Sequence, residues 1–158
     1  MSAQTTASTP PERVATGRLW WVTLLAIAVA AIANLIIYVI ATAIFSGPRQ
    51  FSYLTPLTIV VSTVIYLLVA AIVYAVIGRY AKRPIGVFRI VALVALLLSF
   101  GAPISAALTF PAADRPDATT VIILLVMHIF AALITIGLFT TLARTSSDGS
   151  SAAGDLHL

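Results

Sequence analysis

Four long apolar runs constrain this chain more than any other feature of its sequence. They cover about residues 19–45, 57–77, 87–110 and 119–142, and each reaches the roughly 20 residues that a helix needs to cross a bilayer. Lipid offers the backbone no hydrogen-bond partners, so helices are the economical structure for such runs. The composition agrees, because 61% of the residues are hydrophobic and only 9% are charged, whereas a soluble domain has about 25% charged residues.

The segments between these runs are short and rich in Gly, Pro and Ser, so consecutive helices should lie side by side and antiparallel. The sequence therefore predicts an all-α protein, an integral membrane up-down bundle of four transmembrane helices, over residues 19–144. The flanking segments 1–18 and 145–158 contain few large apolar side chains. We expect both to be disordered tails, because such segments cannot build a core.

The basic residues are distributed unequally between the two ends of the predicted bundle. Cytoplasmic loops of membrane proteins carry an excess of Lys and Arg, and here seven basic residues lie at one end and two at the other. The asymmetry predicts a multi-pass protein of the cell inner membrane with both termini in the cytoplasm. The basic residues flank the spans and form no basic face, so we expect no nucleic-acid partner. The seven are Arg13, Arg18, Arg79, Lys82, Arg83, Arg89 and Arg144, and the two are Arg49 and Arg115.

A few polar side chains interrupt the apolar runs, and four of them fall at one predicted depth. Asn34, Thr63, Ser99 and His128 each lie sixteen residues from a basic residue at the cytoplasmic end of their span, or about 24 Å along a helix. No Asp, Glu, Lys or Arg lies as deep in any span. The pattern predicts a polar layer within the membrane, in which Asn34 and His128 are candidates for direct contact.

Two interpretations of this layer stay open at the level of sequence. The first is a structural clasp, since hydrogen bonds between membrane helices contribute about 0.6 kcal/mol and help to fix register. The second is a binding site for a ligand, a proton or an ion, because ionisable residues within membranes often mark functional sites. We favour the clasp on sequence grounds.

The third run contains a proline within its apolar segment. Pro103 cannot donate a hydrogen bond to the carbonyl of Ser99, and its ring clashes with that carbonyl. Gly101 adds pliability at the same place. We expect a helix kink there, with a freed carbonyl in the polar layer.

The sequence lacks the groups that most catalytic and metal sites require. It has no cysteine, and no buried carboxylate is available to orient His128 as a general base. A zinc site needs three or four ligands, and the spans offer one imidazole. Haem ligation by two histidines within the membrane would require a second copy of the chain, because the spans of one copy contain only His128. We therefore expect no enzymatic activity, no metal and no cofactor.

Several stretches resemble one family of small proteins. They are A-A-I-A-N-L-I-I-Y (30–38), P-L-T (56–58), F-R-I-V-A (88–92), L-S-F-G-A-P-I (98–104) and V-M-H-I-F-A-A (126–132). In this order they are similar to uncharacterised four-helix integral membrane proteins of actinobacteria and related bacteria, which form a domain of unknown function. The resemblance covers most of residues 19–143. It implies a membrane-embedded bundle and no particular activity.

These observations lead to two functional hypotheses. The first is a non-enzymatic inner-membrane protein that serves as a partner or subunit of a membrane assembly, either with a second membrane protein or as a homo-oligomer. The alternative is a small oligomeric carrier or channel with a polar intramembrane site around Asn34 and His128. In both, the lipid bilayer is the principal surrounding partner.

Overall fold

The computed structural model describes residues 16–143, and these residues form an all-α structure without a strand. The predicted fold class is therefore confirmed. The tails expected at 1–18 and 145–158 lie outside the described residues, except for residues 16–18, which form the start of the first helix. The helices are α1 (Thr16–Ile44), α2 (Gly47–Gln50), α3 (Pro56–Tyr80), α4 (Pro84–Ser99), α5 (Gly101–Thr109) and α6 (Ala118–Leu142), with a short 3₁₀ turn at Ala112–Asp114.

Within residues 16–143, four helical segments are long and apolar enough to cross a membrane. They are Gly17–Ile44, Pro56–Tyr80, Pro84–Thr109 and Ala118–Leu142. The helices of the second and third spans begin or end a few residues outside the predicted apolar runs. The reason is that a helix can continue into the polar interface, where a side chain such as Arg79 extends its charge into water.

Specific residues start the second and fourth spans. Pro56 occupies the first turn of α3, where a missing backbone N–H costs nothing. The Thr55 side chain caps this helix by accepting from the Thr58 backbone N–H at 3.2 Å. Asp117 caps α6 in the same way, accepting from the Thr120 backbone N–H at 2.8 Å. These caps satisfy backbone donors that have no partner within the helix.

The third span is interrupted at Phe100, between α4 and α5. The Phe100 N–H donates to the Leu97 carbonyl at 3.3 Å, a tighter turn than an α-helix makes, and Ile104 resumes the helical pattern by donating to Phe100 at 3.3 Å. Pro103 is buried and has no N–H for the Ser99 carbonyl. Gly101 is exposed, with open space where a Cβ would stand. The interruption thus falls in the segment where the sequence predicts a kink.

The spans pack in a closed ring. α1 contacts α3 and α6, and α4 contacts the same two helices from the other side. Three buried aromatic side chains from different helices meet at the end of the bundle that carries most of the basic residues. The ring centroid of Tyr74 lies 4.7 Å from that of Phe88 and 5.4 Å from that of Phe139. Ala26 and Ala30 on α1 are fully buried beside them. Small residues there let α1 approach its neighbours closely.

The loop between α1 and α3 is held over the opposite end of the bundle. Arg49 donates to the carbonyls of Thr42 and Ala43 at the end of α1, where a positive charge complements the helix dipole. A Cβ at Gly47 would collide with the Asp117 carboxylate, so a larger residue there would displace this side chain from the start of α6. Arg115 likewise donates to the carbonyl of Phe110, the residue that follows α5. Both basic residues at this end of the bundle therefore cap the C-terminal end of a helix.

Candidate functional site

A cavity of about 320 Å³ lies within the bundle, bordered mainly by α3, α4 and α6, with one residue from α1. This size falls near the lower end of the range of about 300–1,000 Å³ that is typical of ligand pockets. Most of the wall is apolar. The polar residues of the wall are Asn34, Thr58, Ser62, Thr63, Ser99, His128 and Thr135, together with the hydroxyl-bearing rings of Tyr53 and Tyr66.

Small side chains on three helices account for the space. Ala70 of α3, Ala92 and Ala95 of α4, and Ala131 and Ala132 of α6 all line the cavity. On each helix these alanines share a face with the polar residues of the wall, as spacings of three and four require. Larger side chains at these positions would fill the gap, because protein interiors otherwise pack to high density.

All four residues of the predicted polar layer, Asn34, Thr63, Ser99 and His128, line this one cavity. They come from four different helices, α1, α3, α4 and α6. Their similar predicted depth along the helices thus corresponds to a common location around one cavity. Gly101 and Pro103 do not line the cavity; they follow Ser99 at the point where the third span is interrupted.

Asn34 and Thr63 form the hydrogen bond that joins α1 to α3 within the layer. The Asn34 Nδ2 donates to Thr63 Oγ1 at 3.3 Å, and the Thr63 hydroxyl donates in turn to the Ile59 carbonyl at 2.7 Å. Because the Thr63 hydrogen is used on Ile59, its oxygen can only accept from Asn34. The Asn34 group that faces Thr63 is therefore the NH₂.

The second polar atom of Asn34 has no partner. Asn34 is 6% exposed, and its Oδ1 is buried without a hydrogen bond among the described residues. A buried acceptor left unpaired costs about 1–3 kcal/mol, so native structures rarely keep one without a reason. This orphan oxygen belongs to a residue of the cavity wall.

His128 and Ser99 are bonded within their own helices. His128 Nδ1 lies 2.6 Å from the Leu124 carbonyl, and Ser99 Oγ donates to the Leu96 carbonyl at 2.7 Å. A carbonyl oxygen only accepts, so Nδ1 carries the hydrogen and the neutral ring keeps Nε2 as an acceptor. The described residues show no hydrogen bond between His128 and Asn34, because α1 turns the Asn34 NH₂ toward α3. Asn34 and His128 therefore share the wall of one cavity without a hydrogen bond between them.

Aromatic residues occupy both ends of the cavity. Phe88 lines it at the basic end and belongs to the buried cluster with Tyr74 and Phe139. At the opposite end, Phe51 and Tyr53 of the first loop line it. Sequence reasoning missed these loop residues, although two aromatic residues placed just before a transmembrane helix are a detectable signal.

The cavity opens sideways, between α3 and α4. Its exposed wall residues within the spans belong to these two helices and include Tyr66, Val69, Val91 and Ala95. The wall residues from α1 and α6 are buried or half-buried. In a bilayer, this side of the bundle faces lipid tails rather than water.

The wall lacks the chemistry of a metal or acid–base site. No Asp, Glu, Lys or Arg is among its residues. Within residues 16–143, no group of three or more His, Cys, Asp or Glu side chains could hold a metal ion. The arrangement is suited to hydrogen bonding with an uncharged molecule, since an unpaired charge is costly in such surroundings.

Comparison with known proteins gives a family without an assigned activity. No curated protein and no solved structure matches the chain. A family of unknown function matches residues 14–145, which include all four apolar helices and every residue of the cavity wall. The chain therefore belongs to this family of unknown function, DUF6069.

Proposed function

We propose that the chain is a non-enzymatic protein of the cell inner membrane that binds a small uncharged molecule in its intramembrane cavity. The observation that carries this proposal is the cavity of about 320 Å³, which is lined by Asn34, Thr63, Ser99 and His128 from four helices and otherwise mainly by apolar side chains. A bound molecule would fill this space, whose size is near the lower end of the range typical of ligand pockets.

The proposed orientation has both termini in the cytoplasm. Among the described residues, Arg18, Arg79, Lys82, Arg83 and Arg89 lie at the proposed cytoplasmic end, in keeping with the usual excess of positive charge there. The basic residues of the other end act as helix caps, so their presence has a local structural reason. Reporter fusions at each terminus test the orientation, and activity of an externally active reporter at either terminus would contradict it.

The absence of enzymatic activity is proposed from the chemistry of the wall. His128 holds its Nδ1–H on a carbonyl of its own helix rather than on a carboxylate, so no negative charge is placed beside the ring to support general-base catalysis. The wall hydroxyls of Ser62 and Ser99 also donate to carbonyls of their own helices. Such hydroxyls lack the partner base that nucleophilic catalysis requires.

A carrier or channel is the second candidate function, because polar residues line the cavity. Conduction of water or ions would need a polar route along the bundle axis, whereas aromatic residues occupy both ends of this cavity. We therefore prefer binding to conduction. Flux through proteoliposomes that is abolished by Asn34→Ala and His128→Ala would reverse this preference.

A role as partner or subunit of a membrane assembly is compatible with binding, and so is a homo-oligomer. The outward faces of the bundle are apolar, as contact with either lipid or another helix requires. Pull-down from gently solubilised membranes tests this part of the proposal, and recovery of neither a partner nor a second copy would contradict it.

Co-purification tests the binding proposal directly. The protein is purified in a mild detergent, extracted with organic solvent, and the extract is quantified by mass spectrometry per mole of protein. We expect the native chain to retain one molecular species that Ala131→Phe, which fills the cavity, does not retain. Ala28→Phe on the exposed face of α1 is the matched control. Equal retention by all three proteins would contradict binding in the cavity.

A further inference from the structure

The segment that joins α3 to α4 carries positive charge at the basic end of the gap between these two helices. We propose that this segment and the gap together bind an anionic phospholipid. Its phosphate headgroup contacts Arg79, Lys82 and Arg83, and one of its hydrocarbon chains lies along the gap between α3 and α4. The inference goes beyond the proposed function, because it concerns the outer surface of the bundle and holds whether or not a molecule fills the cavity.

Three cations are concentrated within five residues at this junction. Arg79, Lys82 and Arg83 are all exposed, and their side chains make no hydrogen bond or ion pair with the described residues. Within residues 16–143, the acidic residues are Asp114 and Asp117, which both lie at the opposite end of the bundle. The arginines of that opposite end are used as helix caps. The charge at the junction is therefore available to anionic lipid, which basic residues near a membrane surface attract.

An apolar gap between α3 and α4 lies below these cations. Near the junction the two helices touch through the buried rings of Tyr74 and Phe88, whose centroids lie 4.7 Å apart. Farther along, the exposed residues Val69, Val91 and Ala95 flank the lateral opening of the cavity. An excess of positive charge at one end is usual in membrane proteins, but it does not by itself produce an apolar opening beneath the charges.

The depth of the opening matches the chain of a lipid in the adjacent leaflet. Val69 is ten residues from Arg79, and Val91 is eight residues from Arg83, or about 15 Å and 12 Å along their helices. One leaflet contributes about half of the roughly 30 Å of hydrocarbon in a bilayer. A phospholipid whose phosphate lies at the junction therefore has its chain beside the opening.

Two further cations of the same end are turned away from the gap. Arg89 lies two residues before Val91 on α4, and consecutive helical residues are about 100° apart, so their side chains point to nearly opposite sides of the helix. Arg18 lies on α1, which does not border the gap between α3 and α4. These two residues therefore provide a control of equal charge.

Tryptophan quenching by brominated lipids tests the proposal. Trp20 and Trp21 are replaced by Phe, and Val69→Trp reports lipid at the gap. Val29→Trp is the control reporter, because Val29 is exposed on α1 at a similar distance from the basic end. Phosphatidylcholine proteoliposomes contain either chain-brominated phosphatidylglycerol, which is anionic, or phosphatidylcholine brominated at the same chain position. The measured quantity is the ratio of the membrane concentrations of the two brominated lipids that give half-maximal quenching.

We expect the anionic lipid to quench the Val69→Trp reporter at about one-fifth of the concentration that the zwitterionic lipid requires, the factor for one basic residue near a membrane surface. At the Val29→Trp reporter, the two lipids should differ by less than about twofold, because exposed charges farther away than a Debye length are largely screened.

Paired double variants identify the cations that are responsible. Lys82→Gln with Arg83→Gln should remove the preference for the anionic lipid at the gap. The Arg83 side chain does not cap α4, so its replacement leaves the start of this helix intact. Arg18→Gln with Arg89→Gln removes the same charge from the same end of the bundle and should preserve the preference. Circular dichroism checks that both double variants remain folded.

Equal preference at the two reporters would overturn the assignment, and this comparison leaves the junction between α3 and α4 unaltered. Equal loss of preference in both double variants would show a general attraction to positive charge and would also overturn it. Glycerol phosphate added at constant ionic strength should have no effect. If it abolishes the preference, the junction binds a soluble phosphate and the proposed lipid is wrong.

The outcome is separate from that of the co-purification experiment. Ala131→Phe, which fills the cavity, should leave the preference for anionic lipid unchanged, because Ala131 lies on α6. If a molecule co-purifies through the cavity but the anionic lipid has no advantage at the gap, cavity binding stands and the lipid site is wrong. If the preference is present but Ala131→Phe changes no co-purified molecule, the lipid site stands without the cavity ligand.

Discussion

The hydrogen bond between Asn34 and Thr63 gives an asymmetric prediction for a double-mutant cycle. Thr63→Val preserves the shape of the side chain but removes the acceptor for the Asn34 Nδ2. The amide of Asn34, which is 6% exposed and already has an unpaired Oδ1, would then have no partner for either polar atom. We expect the free energy of unfolding to fall by about 1–3 kcal/mol, the cost of one more unsatisfied buried group.

The other single variant should cost less. Asn34→Leu removes the whole amide, including the unpaired oxygen, and leaves the Thr63 hydroxyl bonded to Ile59. The loss is one interhelical hydrogen bond, worth about 0.6 kcal/mol in a membrane, and it is offset by removal of the orphan. Once the amide is gone, Thr63→Val has little left to disturb. The double variant should therefore have nearly the stability of Asn34→Leu.

Unfolding in mixed micelles with increasing SDS, followed by far-UV circular dichroism, measures the four free energies. The coupling should be about 1–3 kcal/mol, well above the limit of about 0.3–0.5 kcal/mol within which independent sites add. Thr135→Val is a matched control because Thr135 is also buried and donates only to a carbonyl of its own helix. We expect it to change stability by less than about 0.5 kcal/mol. Additive single effects, or a control as costly as Thr63→Val, would refute the reasoning.

Three further variants test other parts of the structure. Gly47→Ala should lower stability by about 0.5–2 kcal/mol in the same assay, because the new Cβ displaces the Asp117 carboxylate from its cap of α6. Phe139→Leu should cost about 1–3 kcal/mol, since two aromatic contacts of about 0.5–1.5 kcal/mol each are lost. In Pro103→Ala, the new amide at position 103 should exchange slowly, because it can donate to the carbonyl four residues earlier.

Each of these variants has a control or a contrary outcome. Gly137→Ala introduces a Cβ into open space within α6 and should leave stability unchanged or slightly raised. Phe130→Leu alters an exposed ring of the same helix and should change stability little. If Gly47→Ala or Phe139→Leu matches its control, the corresponding contact does not stabilise the bundle. Rapid exchange at position 103 would show that the interruption of the third span does not depend on Pro103.

The spans and the depth of their polar residues could be predicted because both depend on distance along a helix. An apolar run of sufficient length commits the backbone to internal hydrogen bonding in lipid, so the extents of α1, α3 and α6 follow closely from the sequence. The rise of 1.5 Å per residue places Asn34 and His128 at a common depth without knowledge of their neighbours. Both residues indeed line one cavity.

The partner of Asn34 could not be predicted in this way. Depth along the axis leaves the rotation of each helix undetermined, and α1 borders both α3 and α6. Packing of Ala26 and Ala30 against the core sets the rotation of α1, and this rotation brings the Asn34 NH₂ to Thr63 rather than to His128. His128 could use the Leu124 carbonyl because that partner lies one turn away on its own helix.

By itself, the sequence determined that the chain forms four apolar helices and that Asn34, Thr63, Ser99 and His128 lie at a similar distance along them, because both are properties of single segments in lipid. Only the tertiary structure decided that the layer surrounds a cavity, that this cavity opens between α3 and α4, and that the Asn34 Oδ1 is left without a partner. The physical reason is that a cavity is a mismatch between facing surfaces. Ala70, Ala95 and Ala131 are ordinary helix residues individually and leave space only where three helices bring them together.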